Sequence, residues 1–233
     1  MILMYNEIGH DDKYFFLHGG YDMKKLISLF LAVVMLVLLV SCGPTGVPGE
    51  SEDEKKPSVE LSRGKIEGDV YESEYMNLKF TKPASWVYST DDESAAALNL
   101  GVEFMGDKFK EAVETSPTVY DMMVIDSLTR SNINVGYENL SKTFSSNITV
   151  EQYIEAFKQQ LSSVSGMTVT FPDSVDSVKL GGWEYSRLVC DVSVAGVNMT
   201  QVYYLRKVEG YMCFVIVTIV SGYTVAQIEA MFN

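Results

Sequence analysis

The chain has 233 residues, of which 47% are apolar, 21% charged and 12% aromatic. That is enough apolar material for a packed core and too much for wholesale disorder. Eighteen basic residues against 31 acidic ones leave a formal charge of −13, which repels phosphate backbones and argues against a nucleic-acid partner.

Residues 1–22 carry Glu7, Asp11, Asp12 and Asp22 ahead of a segment that reads as an export leader. Export leaders begin with positive charge, so Met23 is the expected start and residues 1–22 an upstream extension with no fold information. From Met23 the chain runs Met23-Lys24-Lys25 and then an apolar stretch, Leu26 to Val40, broken only by Ser28. Fifteen residues are short for crossing ~30 Å of hydrocarbon, which needs about 20. A basic flank followed by such a run is the secretory pattern.

The run ends Leu39-Val40-Ser41-Cys42-Gly43. This resembles the bacterial lipobox, with an aliphatic residue three positions before the cysteine and a small one just before it. The resemblance implies cleavage between Ser41 and Cys42 and a diacylglycerol on the Cys42 thiol. It therefore implies a protein outside the cytoplasm of a bacterium, anchored to the cell membrane by lipid. Acyl chains contribute ~0.8 kcal/mol per buried CH₂, and two or more hold a protein durably.

Both histidines, His10 and His18, precede Cys42. A chain cleaved there has no histidine, which removes Ser-His-Asp and Cys-His catalysis and His-based metal sites. With Cys42 acylated, Cys190 and Cys213 remain, too few for a Cys₄ site. No cofactor, metal site or catalytic residue is expected. The one Ser-x-x-Lys match, Ser62-Arg63-Gly64-Lys65, lacks the companion elements of Ser-Lys nucleophiles and reads as chance.

Residues 43–65 have no aromatic, three prolines and the acids Glu50, Glu52, Asp53 and Glu54. They read as a disordered acidic tether, spanning about 25 Å as a random coil. Residues 66–233 then suit one globular domain. Three helix starts share a capping-box signature: Thr90/Glu93, Thr149/Gln152 and Thr224/Gln227. The first is expected to run on through Leu98, Val102, Met105 and Phe109, with breaks at Gly101 or Gly106. The second carries a Tyr153, Ile154, Phe157 and Leu161 stripe, the third Val225, Ile228, Met231 and Phe232.

Between them the period changes to two. Leu78 with Phe80, and Trp86 with Tyr88, read as short strands; 119–126, 132–140, 183–194, 197–206 and 210–220 read as longer ones. Trp183 and Tyr185 share one parity while Leu188, Cys190, Val192 and Val194 share the other, so a bulge is expected near Ser186-Arg187. The unbroken apolar run Cys213–Val217 predicts a strand covered on both faces. A sheet with helices on both sides follows. If the last three long strands form a meander, Cys190 and Cys213 sit two strands apart, beyond the ~7 Å Cα reach of a disulfide, and stay thiols.

The segment Tyr75-Met-Asn-Leu-Lys-Phe-Thr-Lys-Pro-Ala-Ser-Trp86, the Tyr153-Ile-Glu-Ala-Phe157 helix and Gly182-Trp183-Glu-Tyr185 together resemble PsbP-like domains over about residues 68–233. The resemblance implies an α+β fold, an antiparallel sheet packed by helices on both faces as an α/β/α sandwich. It also implies a binding or accessory module rather than an enzyme, with a protein partner of unknown identity. Tyr203, Tyr204 and Tyr211 are candidates for an aromatic recognition face. Two other readings stand beside it: a solute-binding lipoprotein, and a cell-wall hydrolase working through two carboxylates.

Growing cells on labelled palmitate tests the anchor. Label should enter the wild-type chain and be absent from Cys42→Ala; equal labelling of both would overturn the assignment.

Overall fold

A computed structural model of the chain describes residues 60–98, 106 and 108–233. The leader, Ser41, Cys42, the tether as far as residue 59, Gly101, Val102, Met105 and the side chain of Leu98 lie outside the described residues.

Among the described residues, eleven strands form two sheets. β1 (Lys65–Glu67), β2 (Val70–Ser73) and β3 (Leu78–Thr81) make a small sheet in that order. The large sheet runs β4 (Trp86–Tyr88), β5 (Thr118–Asp126), β6 (Asn132–Asn139), β11 (Tyr211–Ile219), β10 (Val197–Val208) and β9 (Trp183–Val194). Its far edge is shared: β7 (Met167–Thr170) pairs one end of β9 and β8 (Asp176–Leu180) the other. Every pairing is antiparallel. Five helices among the described residues accompany the sheets: α1 (Asp91–Leu98), α2 (Phe109–Thr115), α3 (Leu140–Thr143), α4 (Val150–Ser163) and α5 (Val225–Glu229).

The helix starts follow from side-chain chemistry. Thr149 and Thr224 each close a full capping box with Gln152 and Gln227. At α1 the Glu93 N–H donates to Thr90 Oγ1 (3.2 Å) and the Thr90 N–H to Glu93 Oε2 (2.8 Å). Each box satisfies two backbone donors that a helix start otherwise leaves orphaned.

The α/β/α sandwich does not form. One face of the large sheet is covered by a helix, α4, which buries Tyr153, Ile154, Phe157 and Leu161 against Leu188, Cys190, Val192 and Tyr203. Burying each such side chain stabilises by roughly 1.5–3 kcal/mol. The other face is covered chiefly by the small sheet, with Tyr71, Leu78 and Phe80 against Val135, Val202, Val215 and Val217. The short helices α2 and α5 fill its margins through Ala112, Val113 and Ile228. The architecture is thus mostly antiparallel sheet: helix on one side, sheet on the other. An apolar strand demands a cover on each face, but its sequence is indifferent to whether that cover is helix or sheet.

The same two-sided burial removes the bulge expected at Ser186-Arg187. Pairing of β9 with β10 is in unbroken register from Ser186 to Val194. Tyr185 and Val189 face the small sheet and Leu188, Cys190, Val192 and Val194 face α4, so the parity switch marks which face is covered at each point. The bulge lies in β5 instead, between Tyr120 and Met122. Tyr203 and Tyr204 are core residues, 3% and 1% exposed, and Tyr211 is half-buried; they form no recognition face. Cys190 and Cys213 are buried thiols.

Opposite the bulge sits Gly136. A Cβ there would lie 2.4 Å from the Val119 carbonyl oxygen and 2.7 Å from the Phe214 ring. Gly136→Ala should therefore cost about 1–3 kcal/mol in urea unfolding. Gly210→Ala, with open space around its Cβ, should stay within about 0.5 kcal/mol of wild type.

Candidate functional site

The bulge turns two consecutive residues of β5 toward the small sheet, so Asp121 joins Met122 on that face. Asp121 is 2% exposed. Its carboxylate accepts from the Gly64 N–H (2.9 Å to Oδ1), the Tyr71 hydroxyl (2.8 Å) and the Tyr137 hydroxyl (3.2 Å). Glycine is required at 64, because a Cβ would lie 2.4 Å from the Tyr71 ring. Just before it, Arg63 makes a two-pronged pair with Asp91 (3.0 and 2.5 Å), Leu61 packs on the intersheet core, and Glu60 pairs with Lys110. Residues 60–64 of the segment read as tether thus lie against the body. Burial pushes the Asp121 carboxyl up to about 6, while the Tyr71 and Tyr137 hydroxyls, the Gly64 amide and the Arg63 charge hold it back.

A second buried carboxylate, Glu138, lies on the opposite face, under α4. It is 1% exposed, accepts from the Tyr153 hydroxyl at 2.5 Å, and burial raises its pKa. The sheet itself separates the two. Neither opens to solvent, so they do not make a carboxylate pair flanking a substrate cleft. The Ser-x-x-Lys match falls at the same entry segment: Ser62 and Lys65 are both exposed, on either side of the Arg63–Asp91 pair.

The open site lies elsewhere, at the β9–β10 hairpin end of the large sheet, and the sequence reading missed it. A trough of about 560 Å³ is lined by Thr168, Thr170, Asp191, Ser193, Asn198 and Thr200, with Ser221 and Tyr223 beside Ile219 at its wall. Strand alternation explains why these side chains converge. Met167, Val169, Val192, Val194 and Met199 all pack toward α4. Their neighbours in sequence must then emerge on the other face. Strand register sets them in two rows: Thr168–Ser193–Asn198, and Thr170–Asp191–Thr200–Ile219. Residues across a row are about 4.8 Å apart and the rows about 6.7 Å apart.

The small sheet covers this face only from about Val202 onward. Along β10, Asn198 and Thr200 are in the trough, whereas Val202 and Tyr204 are in the intersheet core. At the boundary Arg187 pairs with Asp176 (2.9 Å) and Glu229 (2.8 Å), and the Tyr204 hydroxyl donates to Glu229 (3.0 Å). Tyr223 is held in place as its hydroxyl accepts from Trp86 Nε1–H at 2.8 Å, with the rings edge-to-face at 5.5 Å. Among the described residues Asp191 is the sole charged side chain lining the trough. Among the described residues no group of three or more His, Cys, Asp or Glu is placed to hold a metal ion.

Stability should depend on pH through the buried acids. Asp121 has a folded pKa near 6 against 3.8 for the free group, so its folded form binds protons more readily. Its penalty is full above about pH 6 and gone below about 4, and Glu138 shifts in the same sense. The urea midpoint should rise as pH falls from 7 to 5, by a stability change on the order of 2 kcal/mol. Asp121→Asn should flatten that slope; an unchanged slope would show that Asp121 is not responsible.

Neither a protein-family model nor a curated protein matches the chain, so the resemblance to PsbP-like domains rests on the quoted residues alone.

Proposed function

We propose that the chain is a non-catalytic binding module, held outside the cytoplasm of a bacterium by lipid on Cys42, and that the trough at the β9–β10 hairpin end is its ligand-binding surface. The single observation carrying the second half is that trough. It is the place where a row-ordered set of polar side chains faces solvent on a sheet whose other side is packed solid. Open, pre-formed and with few charged groups, it has the character of a recognition site. The leader and the Leu39-Val40-Ser41-Cys42 box support the anchor.

Binding fits better than hydrolysis here. Cleavage of a glycosidic bond by carboxylates takes two of them about 5–9.5 Å apart. Among the described residues Asp191 is the one carboxylate lining the trough, and Asp121 and Glu138 are sealed inside on opposite faces. A solute-capturing design with ligand between two lobes has no counterpart in a body built on one large sheet with a cover on each side.

A photoactivatable amino acid at Asn198, in the trough, should form a discrete adduct on intact cells. The same probe at Gln159, on the exposed side of α4, should not. Absence of an adduct at Asn198, or one identical to that at Gln159, would overturn the reading.

A further inference from the structure

We infer that the occupant of the trough is a neutral glycan, recognised through its hydroxyl groups; this rests on the trough being the binding surface. Its volume, about 560 Å³, is within the range that encloses a small ligand. The chemistry of its lining decides which ligand. Seven neutral polar side chains, Thr168, Thr170, Ser193, Asn198 and Thr200 in the rows and Ser221 and Tyr223 at the wall, accompany one carboxylate, Asp191, and among the described residues no cation lines the site.

An anionic ligand finds no positive partner there and meets Asp191 as a like charge. A lipid chain would strip water from two rows of hydroxyls and give them no hydrogen bond in return, a cost of about 1–3 kcal/mol per group. A cationic ligand could pair with Asp191, but one ion pair leaves both rows unused. Sugar hydroxyls use all of it. Each donates and accepts, as do the threonine and serine hydroxyls and the Asn198 amide, and a carboxylate accepts from two neighbouring hydroxyls at once. At the wall, half-buried Val220 and the ring of Tyr223 supply apolar surface suited to the C–H face of a sugar ring.

Rigidity favours such recognition. The rows sit on four mutually paired strands, and the reverse side of each of the first three is packed against the α4 cluster by Met167, Val169, Val192, Val194 and Met199. Little ordering entropy remains to be lost on binding. At the wall, Tyr223 is fixed by its bond to Trp86.

The test is calorimetric titration of the full-length lipidated chain in detergent with cellohexaose, maltohexaose and a hexamer of N-acetylglucosamine, and with hexalysine. At least one neutral hexasaccharide should bind, with an affinity indifferent to salt up to ~0.5 M, since no ion pair is formed. Asp191→Asn and Thr200→Val should each weaken that binding about tenfold, with unchanged melting temperature, as expected when hydrogen-bonding partners are lost. Glu155→Gln, on the exposed side of α4, should leave it unaltered. Binding of hexalysine alone, with affinity falling as salt rises, would overturn the glycan assignment while leaving the binding surface intact. Failure of every sugar to bind would also overturn it; only an absent adduct at Asn198 would remove the site itself.

Discussion

Strand β11 through most of its length, and β10 from Val202 to Leu205, are apolar on both sides, and that double demand for cover organises the rest of the molecule. A helix supplies it on one side and a three-stranded sheet on the other. The two covers differ in reach. The fourteen residues of α4, together with the side chains around it, protect their face as far as Val194 and Met199. The small sheet is made of strands three or four residues long and stops near Val202. Where it stops, the large sheet changes from valine and tyrosine to threonine, serine, asparagine and aspartate. The trough is what a short cover leaves exposed.

Attachment of the small sheet depends on a buried polar contact as well as on apolar packing. Asp121 collects two tyrosine hydroxyls, one from β2 and one from β6, and the Gly64 amide just ahead of β1. One carboxylate thus joins the two sheets and the entry segment. Such a group is strongly disfavoured without partners, and here each oxygen has them. The β5 bulge turns Asp121 inward, and Gly136 gives the neighbouring strand room to follow.

Much of this was legible in the residues. The three threonine caps mark real helix starts, because a cap is local chemistry that tertiary packing seldom overrides. The strand segments read from period-two alternation also recur, from Leu78–Thr81 to Tyr211–Ile219. What covers a doubly apolar strand was not legible, since Cys213–Val217 reads the same beneath a helix or a sheet. Residues 65–73, where the expected tether gives way to the domain, hold two strands that their thin apolar content does not announce. Asp121 is one acid inside the strand expected over 119–126; its role comes from a bulge that only the pairing reveals. The trough did leave a trace: polar residues at alternate positions in Thr168/Thr170, Asp191/Ser193 and Asn198/Thr200, beside apolar ones in the intervening places. Strand edges commonly look like that, and nothing in one strand says that two others align with it.

Cys190 packs beneath α4 and Cys213 between the sheets, with β10 running between their strands. Burial chiefly, opposed by the Lys158 charge and helped by Asp191, pushes the Cys190 thiol up to about 12, far from the thiolate form that reacts. Maturation of this domain therefore calls for no oxidoreductase, and its native state should be equally at home in an oxidising or a reducing environment.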